Sequence, residues 1–233
     1  MKLKIDNRIF EKFPSLMIGV VVAKGINNKG TNKEVMKLLK EQERKIKETF
    51  NSETLSEHPK IQAWREAYSS FGAKPKKYRC SVENLYRMII DNIPLNHINA
   101  LVDIYNVVSL KHTVPVGGDD LDKVDGDIVL TIADGTETFN QLNSEEVNNP
   151  KPQEVIYRDD KGVLCRRWNW RESDKSKMTE DTKNVVLVIE GLDPVTKKEI
   201  ETITQELSSL IYTFCGGKIK SYIVDRASKE IEI

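Results

Sequence analysis

Asn184-Val185-Val186-Leu187-Val188-Ile189-Glu190 is apolar at every interior position and dominated by β-branched residues, which predicts a strand. Downstream, Thr196 and Glu199 have the spacing of a helix capping box. They precede Ile200, Ile203, Leu207, Leu210, Ile211 and Phe214, whose recurrence predicts an amphipathic helix stopped by Gly216 and Gly217. Residues 218–225 then alternate in character, so the C-terminal pattern reads strand, helix, strand. Upstream, residues 154–158 and 163–168 flank Asp160-Lys161-Gly162 and predict a hairpin, residues 128–133 a strand ended at Asp134-Gly135, and residues 115–120 a Gly-Gly-Asp-Asp loop.

The first half reads differently. After an apolar β-rich run at residues 16–22, Thr31 and Glu34 predict a capped helix carrying Val35, Leu38, Leu39, Ile46 and Phe50. Pro59 suits the first turn of a second helix with Trp64, Ala67, Tyr68 and Phe71 on one stripe, up to Gly72. A basic linker at residues 74–79 leads to a third helix capped by Ser81 and carrying Val82, Leu85 and Ile89, and residues 98–110 predict a fourth. Early helices followed by strands are the pattern of an α+β fold, here a mixed β-sheet flanked by helices in one domain over residues 1–233.

Composition narrows the function. Lys plus Arg and Asp plus Glu both number 36, so nothing holds nucleic acid by global charge, and any RNA contact must be local. The three cysteines, Cys80, Cys165 and Cys215, show no metal or redox spacing and predict reduced, buried thiols. The N-terminal residues lack the apolar core of a signal peptide and no run is long enough for a membrane span, so the expectation is a cytoplasmic protein without a membrane partner. Phosphate loops, dinucleotide fingerprints, zinc motifs and nucleophile elbows are absent, and no cofactor or metal is expected. His58, His97 and His112 do not cluster in sequence.

Two segments stand out. In residues 99–110, Asp103 and Asn106 interrupt an apolar helix three positions apart, where they share a face; as buried polar groups they either brace the core or meet a ligand. In Leu164-Cys165-Arg166-Arg167-Trp168-Asn169-Trp170-Arg171-Glu172, tryptophans alternate with polar residues among arginines. This either stacks on bases and holds phosphate, or is an ordinary strand with Trp168 and Trp170 on one face.

These same segments resemble the B3/B4 module of the β subunit of phenylalanyl-tRNA synthetase, which in that family hydrolyses tyrosine wrongly attached to tRNA(Phe). Val102-Asp103-Ile104-Tyr105-Asn106-Val107-Val108 is similar to the family's VD-I-x-N-x-V stretch, Pro115 with residues 120–126 and 127–133 to its following loop and strand, and residues 182–190 to its T-x-N-apolar-E strand; the resemblance covers about residues 60–190. It implies a free-standing module with an amino-acid-sized pocket, unable to charge tRNA by itself. Asn106 matches the family's pocket-side asparagine, Gly117 stands where the family has a pocket histidine, and Glu172 or Asp174 stands in the region of its acidic pocket residue.

The expected partners are therefore tRNA or aminoacyl-tRNA and an amino acid in the pocket, with no DNA. The candidate bases for water attack on the ester are Asp119, Asp120 and Glu172, and the candidate substrate contacts are Asp103, Tyr105, Asn106, Gly117, Gly118, Trp168, Asn169 and Trp170, with Arg166, Arg167 and Arg171 for RNA phosphate. Three functions remain open at this point: a hydrolase of mischarged tRNA acting in trans, a binding module without turnover, and a protein-interaction domain anchored by the tryptophans. In the first two, Asn106 and the Arg/Trp segment are expected to line a shared cavity.

Overall fold

The computed structural model describes residues 1–144 and 147–233. Two sheets form the core. The first has six strands in the order β10-β1-β4-β5-β6-β7, with β1 (Lys2–Ile5), β4 (Ile128–Ile132), β5 (Val155–Arg158), β6 (Val163–Arg166), β7 (Arg171–Glu172) and β10 (Glu230–Glu232). It is mixed because β1 runs parallel to β4 while its other pairings are antiparallel. The second sheet is antiparallel throughout, in the order β3-β8-β2-β9, with β2 (Met17–Lys24), β3 (Val116–Asp120), β8 (Asn184–Gly191) and β9 (Lys218–Val224).

Among the described residues six α-helices accompany the sheets: α1 (Asn7–Lys12), α2 (Lys33–Thr49), α3 (Pro59–Ser70), α4 (Ser81–Ile90), α5 (Ala100–His112) and α6 (Lys197–Cys215). Helix α6 lies on β2 and β9, and α5 packs between α6 and α2. The approach of α6 to β2 is close enough that any Cβ at Gly19 would collide with Thr204 Oγ1, so glycine is required between the β-branched Ile18 and Val20 of this strand. The α+β reading holds, with the strands divided between a mixed and an antiparallel sheet.

Local corrections have local causes. Helix α2 starts one residue later than its capping-box spacing suggests, because the Asn32 side chain accepts from Glu34 N at 2.9 Å and Val35 N at 3.3 Å. Ser81 is the first residue of α4 instead of its cap, and its hydroxyl is buried without a hydrogen-bond partner among the described residues. The Gly-Gly-Asp-Asp segment is strand β3, formed because β8 offers it a partner from Val116↔Ile189 to Asp120↔Val185. Gly118 is needed there, since a Cβ would strike Val186 O on β8. The three cysteines are buried free thiols, and among the described residues no helix is long and apolar enough to cross a membrane.

Candidate functional site

A cavity lies where the two sheets face each other. Leu3, Ile128, Tyr157 and Cys165 line it from the six-stranded sheet, and Val186, Val188 and Glu190 from alternate positions of β8. Residues 116–119 of β3 and Ser81, Trp168, Asn169 and Glu172 complete the wall. The cavity is narrow, with a volume of about 40 Å³. That is room for a few water molecules.

Three carboxyl groups meet this space, in three different states of satisfaction. Glu190 is 1% exposed and is the acceptor at the centre of a network: Tyr157 OH donates to Oε1 at 2.6 Å, Trp168 Nε1 to Oε1 at 2.7 Å, and Asn169 Nδ2 to Oε2 at 2.7 Å. Burial raises its pKa while these three donors hold it down. Asp119 is buried with one donor, the Ser176 hydroxyl at 2.6 Å; burial pushes it up to about 6 against that hydrogen bond. Glu172, half-buried on β7 with its carboxyl end turned inward, is pushed well above the usual carboxylate range, first by desolvation and then by the charge of Asp119.

No Lys, Arg or His lines the cavity among the described residues. A pair of carboxyls without a cation takes up a proton near neutrality or accepts a ligand that donates to both. Burial and the neighbouring carboxylates raise the Cys165 thiol well above its ordinary value, so it stays protonated and is no nucleophile. Among the described residues no group of three or more His, Cys, Asp or Glu is arranged to hold a metal ion.

Outside lies a wider, solvent-open groove of about 1160 Å³, lined by Ile98, by Val102 and Tyr105 of α5, by Leu142 and Asn143, and by residues 177–181. Groove and cavity share two residues, Gly118 and Glu172. Asp120 N, two positions along β3, bonds Ser176 O at 3.0 Å on the side away from β8. By the two-residue period, the Gly118 N–H points the same way, off the outer edge of the sheet and towards the junction.

The sequence-derived candidates separate cleanly. Gly117, Gly118, Asp119, Trp168, Asn169 and Glu172 do converge on the cavity, and Tyr105 lines the groove. Asn106 lines neither space, half-exposed on α5, so the shared cavity does not include it. Asp103 also stays out: it is 1% exposed, His97 Nδ1 lies 2.5 Å from its Oδ2, and its Oδ1 has no partner among the described residues. Asp120 is no base for the cavity, because it caps the following turn through Asp122 N at 3.1 Å and accepts from Thr182 Oγ1 at 2.7 Å.

The arginines need the largest correction. Arg166 is 1% exposed and forks onto Glu154 at 2.8–3.0 Å, with Arg167 Nε on the same carboxylate at 2.9 Å. Neither guanidinium is presented to phosphate; both neutralise one buried acid. Arg171 is exposed. Trp168 and Trp170 do not alternate along a strand either. The chain turns between β6 and β7, Trp168 adopts φ 60° and is fully buried among Phe13, Trp64 and Phe71, while Trp170 stays half-buried against Tyr78. Glu190, Tyr157, Cys165 and Ser81 were missed as cavity residues; the one available signal was an acid ending an apolar strand.

With this geometry in hand, comparison with known proteins places the chain. The B3/4 domain matches residues 63–216. The chain belongs to the B3/4 domain family. Every cavity residue except Leu3 lies inside the matched span. The phenylalanine–tRNA ligase beta subunit of Psychrobacter arcticus is 29% identical over 136 residues, which is 54% of this chain and 17% of that protein. The B3/4 chain thus spans about a sixth of this relative's length. A crystal structure of an N-terminal fragment of the phenylalanyl-tRNA synthetase beta subunit from Pyrococcus horikoshii aligns with a TM-score of 0.47 and 16% identity, covering 93% of this chain and 49% of that one.

Proposed function

We propose that this B3/4 protein receives the aminoacyl end of a tRNA in the groove and hydrolyses its ester bond in trans at the groove–cavity junction. The observation that carries this reading is that a wide groove and a narrow acid-lined cavity meet at Glu172 and Gly118. The amino-acid moiety enters the junction with its ammonium towards Asp119 and Glu172, neither of which forms an ion pair among the described residues, Lys175 acting on Asp119 only at a distance. A cationic ligand replaces the shared proton and lets a carboxylate act as base on water. The Gly118 N–H at the same junction suits the oxyanion that forms as water adds to the ester carbonyl. Aminoacyl esters are already activated, so orientation, one base and one donor suffice without a covalent intermediate.

The test is release of labelled amino acid from a panel of mischarged tRNAs by the purified chain. Turnover on at least one, lowered about 10²-fold or more by Glu172→Gln, is expected for loss of a general base. Binding without turnover across the panel would reduce the protein to a binding module, the second reading. The lack of an imidazole among the groove and cavity residues favours that alternative.

A further inference from the structure

Among the described residues, the side chains of Lys74, Lys76, Lys77, Arg79 and Arg171 form no ion pair. In a chain whose charges balance overall, that is a concentrated local excess of positive charge. The fold draws it together. Tyr78, from the segment between α3 and α4, takes the Arg167 guanidinium on its ring at 3.5 Å and meets Trp170 edge-on at 5.0 Å. Arg171 lies over the other partner, 5.1 Å from the Trp170 ring, and Lys77 Nζ is 5.2 Å from the Tyr78 ring.

The base of this ladder is rigid. Arg167 is anchored on Glu154, and Asn169 Oδ1 accepts from Tyr68 OH at 2.9 Å and from Ser81 N at 3.4 Å. Asn169 and Ser81 also line the cavity, so the basic strip stands directly beside it.

We propose that this strip, residues 74–79 with Trp170 and Arg171, is a docking surface for a single-stranded polynucleotide end, its cations on phosphates and Trp170 on an unpaired base. The inference rests on the aminoacyl-tRNA reading and says where the nucleic acid leaves the site. Alternating aromatic and cationic groups on a fixed support suit stacking with phosphate contact. A lipid surface fits less well, because the large exposed apolar side chains, Met1, Ile93, Ile98, Val147 and Tyr212, all lie outside the strip.

The experiment is fluorescence anisotropy of a labelled single-stranded RNA 12-mer with the full chain, between 50 and 250 mM KCl. The triple variant Lys74→Glu/Lys76→Glu/Lys77→Glu is expected to flatten the salt slope by about 2, given ~0.7 per single-strand phosphate contact. Trp170→Ala should weaken binding about 10-fold, within the range for one stacked base. The control Lys33→Glu/Lys37→Glu/Lys40→Glu on α2 changes net charge equally and should retain most of the affinity. Equal loss in both triple variants would overturn the local site, and so would unchanged binding in the first. Binding to phosphatidylserine vesicles in place of RNA would reassign the strip to membranes and overturn it as well. Hydrolysis is read separately on charged tRNA, so RNA binding without turnover upholds the strip while removing the hydrolytic reading.

Discussion

Asp119→Asn isolates the electrostatic cost of the cavity. The carboxyl is 7% exposed, holds one hydrogen bond from Ser176 Oγ, and has its pKa pushed up to about 6 by burial. A group whose folded pKa lies above its unfolded value contributes stability below the unfolded pKa and loses it as pH rises. For Asp119 that window runs from about 4 to about 6. At ~1.4 kcal/mol per pH unit, wild type forfeits on the order of 3 kcal/mol across it. The amide cannot ionise and still accepts from Ser176, so it avoids this loss. Urea unfolding at pH 4, 5, 6 and 7 should therefore show the variant close to wild type at pH 4 and more stable at pH 7. With an m-value of ~2–3 kcal/mol/M, the midpoint difference should grow by about 1 M. A difference independent of pH, or one that falls as pH rises, would mean that Asp119 ionises like a surface carboxylate, and the proton-sharing cavity would be lost with it.

Two further outcomes test the framework around the site. Trp168→Ala removes a fully buried indole, three ring contacts and one donor to Glu190, and should cost about 3–5 kcal/mol, whereas half-buried Trp170 should cost about 1 kcal/mol or less. Matching melting temperatures for the two alanine variants would contradict the turn that separates them. Glu154→Ala strands two buried guanidiniums and should cost about 3–5 kcal/mol, against under ~1 kcal/mol for Lys111→Ala at the more exposed Lys111–Glu206 pair. A denaturation midpoint for Glu154→Ala near that of wild type would show that Arg166 and Arg167 find solvent or other partners.

Much of what neighbours in the chain set was legible in the sequence, the caps of α2 and α4 excepted. The apolar run of β8, the Thr196 cap of α6, the hairpin of β5 and β6 and the order of early helices before strands depend on periodicity and capping, which act over a few residues. The resemblance likewise led to Gly117, Gly118, Asp119 and Glu172. Tertiary structure decided the rest. Val-Gly-Gly-Asp-Asp has little strand propensity and becomes β3 only because β8 pairs with it. Asp103 and Asn106 share a helical face by spacing, yet one is buried against His97 and the other half-exposed, since burial depends on what packs over each position. Arg166 and Arg167 read as phosphate ligands until Glu154, twelve and thirteen residues away, is folded against them. The cavity itself joins Leu3 to Glu190 across nearly the whole chain, a juxtaposition of two sheets that local pattern does not encode.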